Sequence, residues 1–134
     1  MQTKDLMIGD WVVVDNTPLQ IAALGTTKAG FADSKNELFY HYYDVLQPIP
    51  LTAEILEKNG FNVQKIVSKT FRNGCNLWTY ADGECSVYIY ENGVIWWLEA
   101  GLENYAGKIE MPISDVHELQ HALRLFGIKK DINL

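Results

Sequence analysis

Hydrophobic and polar positions alternate through the middle of the chain with a period of two, which is the periodicity of a β-strand with one buried face. Three dipeptides interrupt the pattern, Asn73-Gly74, Asp82-Gly83 and Asn92-Gly93, and residues of high strand propensity flank each of them. Because Asn-Gly and Asp-Gly favour tight hairpin turns, the pattern predicts an antiparallel meander of three or four strands over roughly residues 64–111.

The turn positions also predict the register of this meander, with Asp82-Gly83 and Asn92-Gly93 interpreted as two-residue loops. The predicted cross-strand pairs are Tyr80 with Cys85, Trp78 with Val87, Ile89 with Trp96 and Tyr88 with Trp97. One face is mostly apolar and is predicted to be the core side; it carries Trp78, Tyr80, Cys85, Val87, Ile89, Trp96 and Leu98. The other face carries Leu77, Thr79, Ser86, Tyr88, Tyr90, Ile95 and Trp97.

This second face mixes polar and aromatic side chains, and two interpretations of it stay open. Aromatic residues are generally buried, so the face is expected to pack under another layer of the protein. Alternatively, Tyr88, Tyr90 and Trp97 form a binding surface for a protein partner, since tyrosine and tryptophan combine an apolar ring with a polar tip.

Strands are also predicted in the N-terminal third. Two apolar segments of high strand propensity, residues 11–14 and 19–24, flank an Asp-Asn-Thr-Pro turn and predict a hairpin. Residues 38–46 predict a third strand with aromatic residues on both faces, Tyr40 and Tyr42 being on one of them. Both faces of this strand are therefore expected to be covered at least in part, as in a small curved sheet or partial barrel.

A short connector helix is predicted before the meander. Thr52 is suited to cap a helix that runs through Lys58, and Gly60 stands near its end. Leu51 and Leu56 have the spacing of a hydrophobic staple at the start of this helix.

The C-terminal helix begins near Asp115, whose side chain can form a capping-box-like pair with Glu118, and it runs to Phe126. At about 100° per residue one apolar stripe must face the core: Val116, Leu119, Ala122, Leu123 and Phe126. His117 and His121 project roughly opposite the centre of that stripe, which predicts that they face solvent.

These elements predict an α+β fold in a single domain of residues 1–134. Residues 1–47 form the N-terminal strand cluster. Residues 48–134 contain the connector helix, an antiparallel meander sheet and the C-terminal helix, which packs on the sheet. A chain of this length can bury a hydrophobic core without disulfide or metal staples.

The composition is that of a globular protein, with 48% hydrophobic and 21% charged residues. No apolar segment approaches the ~20 residues that span a bilayer, so no membrane partner is expected. The first five residues lack the basic and apolar regions of a secretion signal, which predicts a cytoplasmic location. The net charge of −6, from 17 acids and 11 bases, disfavours nucleic acid as a direct ligand.

The two cysteines are predicted to remain unpaired. In the predicted register Cys75 lies near Tyr90 rather than beside Cys85, so the two sulfur atoms are on different rungs of the ladder. Unpaired cysteines suit a reducing cytosol, where a buried cysteine behaves as a small hydrophobe. Neither cysteine is assigned a catalytic role.

Residues 117–121 spell His-Glu-Leu-Gln-His, which matches the H-E-x-x-H motif of zinc hydrolases. In such an enzyme His117 and His121 would bind zinc and Glu118 would activate the attacking water. The longer metzincin form is excluded by the residues that follow. A third ligand would come from upstream, where the spacing selects none of the candidates His41, Glu99, Glu103 and Glu110.

A second interpretation of this motif needs no zinc. Glu118 then interacts with the start of the helix, and both histidines are solvated residues of its polar face. We favour this interpretation, with no metal and no cofactor, because a bare H-E-x-x-H has meaning only in a suitable structural context.

Three segments resemble, in the same order, short uncharacterised proteins of Bacteroides genomes and prophages. They are residues 6–12 (LMIGDWV), 49–61 (IPLTAEILEKNGF) and 116–120 (VHELQ). In that family the second segment is similar to IPLTEEWLLKFGF, and the third is followed by Asn. The differences of this chain from that pattern include Ile55, Asn59 and His121. The resemblance therefore implies that the second histidine of the motif is a local substitution. It implies a phage or mobile-element setting and no known activity.

Two functional classes follow from the sequence. The preferred one is a non-enzymatic protein-interaction module of phage or mobile-element origin, which binds an unknown protein through the second face of the meander. The alternative is a small zinc-dependent hydrolase that uses the H-E-x-x-H helix. No glycine-rich phosphate loop and no G-x-S-x-G motif points to other chemistry.

Overall fold

The computed structural model describes residues 5–67, 74–83, 85–92, 96–102 and 108–134. Within these residues the protein has two five-stranded antiparallel sheets and two α-helices, which confirms the predicted α+β class. The strands are β1 (Trp11–Val14), β2 (Thr17–Leu24), β3 (Lys28–Ala32), β4 (Leu38–Tyr42), β5 (Gln47–Pro48), β6 (Asn62–Ile66), β7 (Cys75–Asp82), β8 (Cys85–Glu91), β9 (Trp96–Leu102) and β10 (Lys108–Ile113). The helices are α1 (Ala53–Lys58) and α2 (Val116–Leu125). Neither described helix has the length and apolar character needed to cross a membrane.

The chain divides into two compact units. Unit 1 comprises Met1–Pro50 and Asp115–Gln120, and unit 2 comprises Leu51–Ser114 and His121–Leu134. Sheet 1 belongs to unit 1 and has the strand order β4-β3-β2-β1-β5, whereas sheet 2 belongs to unit 2 and has the order β10-β9-β8-β7-β6. The sequence does not predict that α2 contributes its first half to unit 1 and its second half to unit 2.

Sheet 1 is an open sheet rather than a closed barrel, with β4 and β5 as its edges. Its first hairpin confirms the predicted one, because Asp15 and Asn16 form a two-residue loop between the paired residues Val14 and Thr17. Both loop residues have positive φ, 48° and 64°. This is the type I′ conformation, which Asp and Asn tolerate and whose twist suits a hairpin.

Sheet 1 also differs from the prediction. Strand β3 is absent from the predicted elements, because five residues around Gly30 give too short a periodic signal. The predicted third strand ends at Tyr42 instead of Leu46, and a 3-10 turn over Tyr43–Val45 follows it. Tyr40 and Tyr42 are 55% and 57% exposed, so their face of this strand is covered only in part.

Apolar side chains of strands β1 to β4 and of the segments beside them form the core of unit 1. Its buried members are Leu6, Val12, Val14, Ile21, Ala29, Phe31, Tyr43 and Leu46. Leu19 and Phe39 pack against them. The His41 ring lies 5.7 Å from the rings of both Phe31 and Phe39, so this histidine is part of an aromatic cluster.

Sheet 2 is the predicted antiparallel meander, extended to five strands. The predicted register is wrong by two residues at both hairpins. The observed pairs include Tyr80 with Val87, Trp78 with Ile89, Ile89 with Leu98, Tyr88 with Glu99 and Tyr90 with Trp97. The last pairs of the two hairpins are Asp82 with Cys85 and Glu91 with Trp96. Parts of the prediction that concern Asn73, Gly93 and Ile95 lie outside the described residues.

The predicted faces of the meander are nevertheless retained. Side chains alternate along a strand with a period of two, so a shift of two residues leaves each of them on the same face. Five members of the predicted core face are at most 6% exposed: Trp78, Cys85, Val87, Ile89 and Leu98. Tyr80 and Trp96 on the same face are half-buried.

Helix α1 confirms the connector helix and both of its predicted ends. The Thr52 hydroxyl accepts a hydrogen bond from the Ile55 N–H (3.3 Å), as expected for an N-cap. Gly60 has a φ of 85°, and the Phe61 N–H donates to the Leu56 carbonyl. This is the Schellman pattern, which requires a left-handed residue after the helix and therefore favours glycine.

A buried side-chain amide joins α1 to the C-terminal tail within unit 2. The Asn59 amide, in a residue 2% exposed, donates to the carbonyls of Ile55 (2.7 Å) and Asn133 (2.8 Å). Its carbonyl oxygen accepts from the Asn133 N–H (2.7 Å). The Lys58 ammonium donates to the Leu134 carbonyl beside it. Asn59 therefore clamps the tail to the end of the helix.

Helix α2 starts directly after Asp115, as predicted, and ends at Leu125, one residue before its predicted end. Gly127, with a φ of 70°, follows it in the same way that Gly60 follows α1. Most of the predicted apolar stripe is buried, namely Val116, Leu119, Ala122 and Leu123. Phe126 is half-buried, because it lies beyond the last helical turn.

We expect Asn59→Ala to lower the free energy of unfolding by about 1–3 kcal/mol, because it removes three hydrogen bonds. The buried backbone groups that lose these bonds gain no contact with water in exchange. Urea unfolding followed by tryptophan fluorescence measures the change. Asn62→Ala, at an exposed asparagine of β6, is the matched control, with an expected change within about 0.5 kcal/mol. Equal losses in the two variants would contradict the clamp.

Candidate functional site

The helix that carries the H-E-x-x-H motif is buried on more sides than its apolar stripe predicts. His117 is 7% exposed and His121 is half-buried, so the prediction that both face solvent is wrong for His117. Gln120 is buried as well, at 6%. Hydrophobic periodicity identifies the most buried line along a helix, but it does not show how far burial extends to either side of that line.

The described side chains do not form a recognisable metal centre. Among these residues, no group of three or more His, Cys, Asp or Glu is placed to hold a metal ion. Of the candidate third ligands, His41 packs in the aromatic cluster of sheet 1, and Glu99 and Glu110 face each other across β9 and β10. Glu103 lies outside the described residues. The zinc hydrolase alternative receives no support from this geometry.

The Gln120 side chain fastens α2 to the start of β1 within unit 1. Its Oε1 accepts a hydrogen bond from the Trp11 N–H (3.0 Å), and its Nε2 donates to the Gly9 carbonyl (2.9 Å). One turn earlier in the helix, the Val116 N–H donates to the Ile49 carbonyl (2.8 Å). These five residues lie in the segments 6–12, 49–61 and 116–120. Residues in the V-H-E-L-Q segment thus have a structural function.

Asp10 is a buried acid to which the sequence pattern assigns no function. Its Oδ2 accepts a hydrogen bond from the Met7 N–H (2.7 Å), and its main-chain carbonyl accepts from the Ile21 N–H (2.9 Å). A buried carboxylate needs such hydrogen bonds to offset the loss of water. Asp10 therefore closes the turn that precedes β1.

Cys75 and Cys85 are free and buried, as predicted. Burial raises the pKa of both thiols, and the negative charges of Glu91 near Cys75 and Asp82 near Cys85 add to this effect. A raised pKa keeps a thiol protonated at neutral pH, and the protonated form is a poor nucleophile. Neither cysteine is suited to covalent catalysis.

The second face of sheet 2 carries two neighbouring rows of side chains that run across the strands. The first row, which we call the acidic row, is Thr79, Tyr88, Glu99 and Glu110. The second row, which we call the aromatic row, is Leu77, Tyr90, Trp97 and Pro112. We call this surface the aromatic-acidic face. Residues two apart on a strand are separated by about 7 Å, so a single side chain of a partner can contact both rows.

The aromatic-acidic face is partly open. Tyr88 is 39% exposed, and Tyr90, Trp97 and Glu99 are half-buried. The Tyr90 hydroxyl donates to the Glu99 carboxylate (3.2 Å), which links the aromatic row to the acidic row. Trp97 faces Tyr90 rather than the predicted Tyr88, because of the two-residue shift in register. The expectation that another layer covers this face is wrong for Tyr88.

No family model, no curated protein and no solved structure matches this chain. The resemblance to proteins of Bacteroides genomes and prophages therefore stays a prediction.

We expect protein purified without an affinity tag to contain substoichiometric zinc and to keep its circular dichroism spectrum in the presence of a chelator. Elemental analysis by mass spectrometry measures the metal. His121→Asn, which removes the second histidine of the motif, should change neither result. One tightly bound zinc per chain, with a peptidase activity that Glu118→Gln abolishes, would contradict this prediction, since that glutamate activates water without binding metal.

We expect the two thiols to react with dithionitrobenzoate much more slowly in the native protein than in urea, because they are buried and their pKa is raised. The native state holds the thiol protons to a higher pH than the unfolded chain does. Their contribution to stability is therefore present below the unfolded cysteine pKa and is lost as the pH rises above it. Equal rates in the two states would contradict the burial of both sulfurs.

Proposed function

We propose that this protein is a cytoplasmic, non-enzymatic protein-interaction module of phage or mobile-element origin. Its aromatic-acidic face binds a protein partner, with Tyr88, Tyr90 and Trp97 as the main contacts. The observation that supports this proposal most is the exposure of Tyr88 beside two half-buried aromatic rings on one regular sheet face. Tyrosine and tryptophan are the residue types that contribute most strongly to the binding energy of protein interfaces.

The acidic row favours a basic segment of the partner. Glu99 lies opposite both Tyr88 and Glu110, on the two neighbouring strands. An arginine placed here would meet a carboxylate and an aromatic ring together, and guanidinium groups bind both. The net charge of −6 acts in the same direction, because it attracts basic segments and repels the phosphates of nucleic acids.

Tyr90, Trp97 and Pro112 supply the apolar contacts, whereas Leu77 in the same row is buried. Tyr90 and Trp97 lie directly opposite each other, with Leu77 and Pro112 on the strands to either side. Because both rings are half-buried in the sheet, they lose little conformational freedom when a partner binds. The partner segment is therefore expected to carry an apolar residue next to its basic residue.

One further observation supports the proposed setting. The free cysteines Cys75 and Cys85 suit a reducing compartment such as the cytoplasm. An origin in a mobile element is proposed from the predicted resemblance of residues 6–12, 49–61 and 116–120 to prophage-encoded proteins.

An array of short peptides tests the proposal. Each peptide has an arginine flanked by leucine or tryptophan, and each is printed beside a copy with glutamate in place of the arginine. We expect the arginine peptides to bind, with an affinity that falls as the salt concentration rises, and the glutamate peptides not to bind. Binding that does not depend on charge, or no binding to any peptide, would contradict the proposal.

We expect Tyr88→Ala to weaken binding of a selected arginine peptide about tenfold, which corresponds to about 1.4 kcal/mol. Its free energy of unfolding should fall by less than about 1 kcal/mol, because the side chain is partly exposed. Titration calorimetry and urea unfolding give the two values. Tyr42→Ala, which removes an exposed tyrosine from sheet 1, is the matched control and should bind like the parent.

The variant Trp97→Ala distinguishes two roles for this ring, that of a binding residue and that of a core residue. A loss of about 3–5 kcal/mol in unfolding free energy for Trp97→Ala, without a change in peptide affinity, would identify this ring as a core residue. That result would remove Trp97 from the proposed surface.

A further inference from the structure

The described sheets have four edge strands, and three of them contain residues that oppose pairing with another strand. Strand β5 is two residues long and contains Pro48, β10 contains Pro112, and β6 contains the exposed Lys65. Proline removes an N–H donor, and the charged ammonium group of an edge lysine is costly to desolvate. Both therefore hinder edge-to-edge pairing. Strand β4, with the sequence Leu-Phe-Tyr-His-Tyr, contains neither.

The hydrogen bonds around β4 show which of its backbone groups face outward. At the two ends of the β3–β4 ladder, the Tyr43 N–H donates to the Thr27 carbonyl, and the Asp33 N–H donates to the Glu37 carbonyl. Hydrogen-bonded pairs recur at every second residue of an antiparallel ladder, so the odd-numbered residues of β4 bond to β3. The N–H and carbonyl groups of the even-numbered residues therefore point away from the sheet.

The same even-numbered residues have exposed apolar side chains. Leu38 is 50% exposed, and Tyr40 and Tyr42 are exposed to a similar extent. The Tyr40 ring lies so close to Gly30 on β3 that a Cβ there would be 2.9 Å from it. The Lys28 ammonium lies 4.5 Å from the centre of the Tyr42 ring. Both rings are thus held in place along the edge of the sheet.

We propose that β4 pairs antiparallel with β4 of a second copy of this chain, so that the two copies of sheet 1 form one continuous sheet. In the two-fold register centred on Tyr40, this residue faces itself and Leu38 faces Tyr42. Every outward N–H then meets an outward carbonyl of the other copy. Strand β4 has no Asp, Glu, Lys or Arg, so the pairing brings no such like charges together despite the net charge of −6.

Self-complementarity favours a second copy over a strand of another protein. Strand β4 has a tyrosine at its centre, an aromatic ring on either side of it and a bulky apolar residue at each end. Reversing the direction of the strand reproduces this pattern. A two-fold dimer needs such a surface, because the same patch must serve as both partners.

Sedimentation velocity over a range of protein concentrations tests the proposal, and we expect a monomer–dimer equilibrium for the parent. Tyr40→Lys places like charges opposite each other at the two-fold axis. Leu38→Pro removes one outward N–H at the first residue of the strand, where proline is tolerated. Each variant should weaken dimerisation at least tenfold. Val63→Lys, at an exposed residue of edge strand β6, is the matched control and should dimerise like the parent.

Hydrogen exchange gives a readout on the parent protein itself, which needs no variant to fold. The amides of Leu38, Tyr40 and Tyr42 should become protected as the concentration rises, whereas those of the β6 edge should not. A parent that stays monomeric, a dimer that both β4 variants retain, or a dimer without protection of these amides would overturn the proposal.

Discussion

Unit 1 depends on the burial of one side-chain amide. Gln120 offers an acceptor to Trp11 and a donor to Gly9, the two neighbours of the buried Asp10. A buried polar group that lacks a hydrogen bond costs about 1–3 kcal/mol, so these bonds determine where β1 starts. Unit 2 contains a similar arrangement, since the Asn59 amide forms hydrogen bonds with backbone groups of the tail. In both units a carboxamide replaces regular backbone pairing where a helix meets extended chain.

The sequence predicts faces and helix ends well because these depend on near neighbours. Thr52, Gly60 and Gly127 act within one turn of the helices that they cap or end. Register is different, because it depends on which residue ends each strand as well as on the length of the loop that follows. Aspartate is a residue type that favours turns, yet Asp82 pairs with Cys85 as the last residue of its strand. The error of two residues did not disturb the faces, since side chains repeat with that period.

At the candidate site, too, the features that depend on near neighbours are predicted from the sequence and the others are not. Alternation along the strands places Tyr88, Tyr90 and Trp97 on one face, and the structure agrees. Their exposure was not predictable, because it depends on whether another layer covers the sheet and not on the strands themselves. Burial of His117 and Gln120 was missed for a related reason. The backbone groups that surround Gln120 lie more than a hundred residues away in the chain, beyond the reach of any local pattern.

The discontinuity of unit 1 affects the order in which the protein folds during synthesis. Domains commonly fold one after another as they leave the ribosome, with the N-terminal domain first. Here the partners of Gln120 precede it by 109 and 111 residues, so the segment Met1–Pro50 is translated long before the side chain that completes its unit. Unit 2 also needs residues that follow Gln120. Both units therefore reach their final structure only once helix α2 has been released from the ribosome.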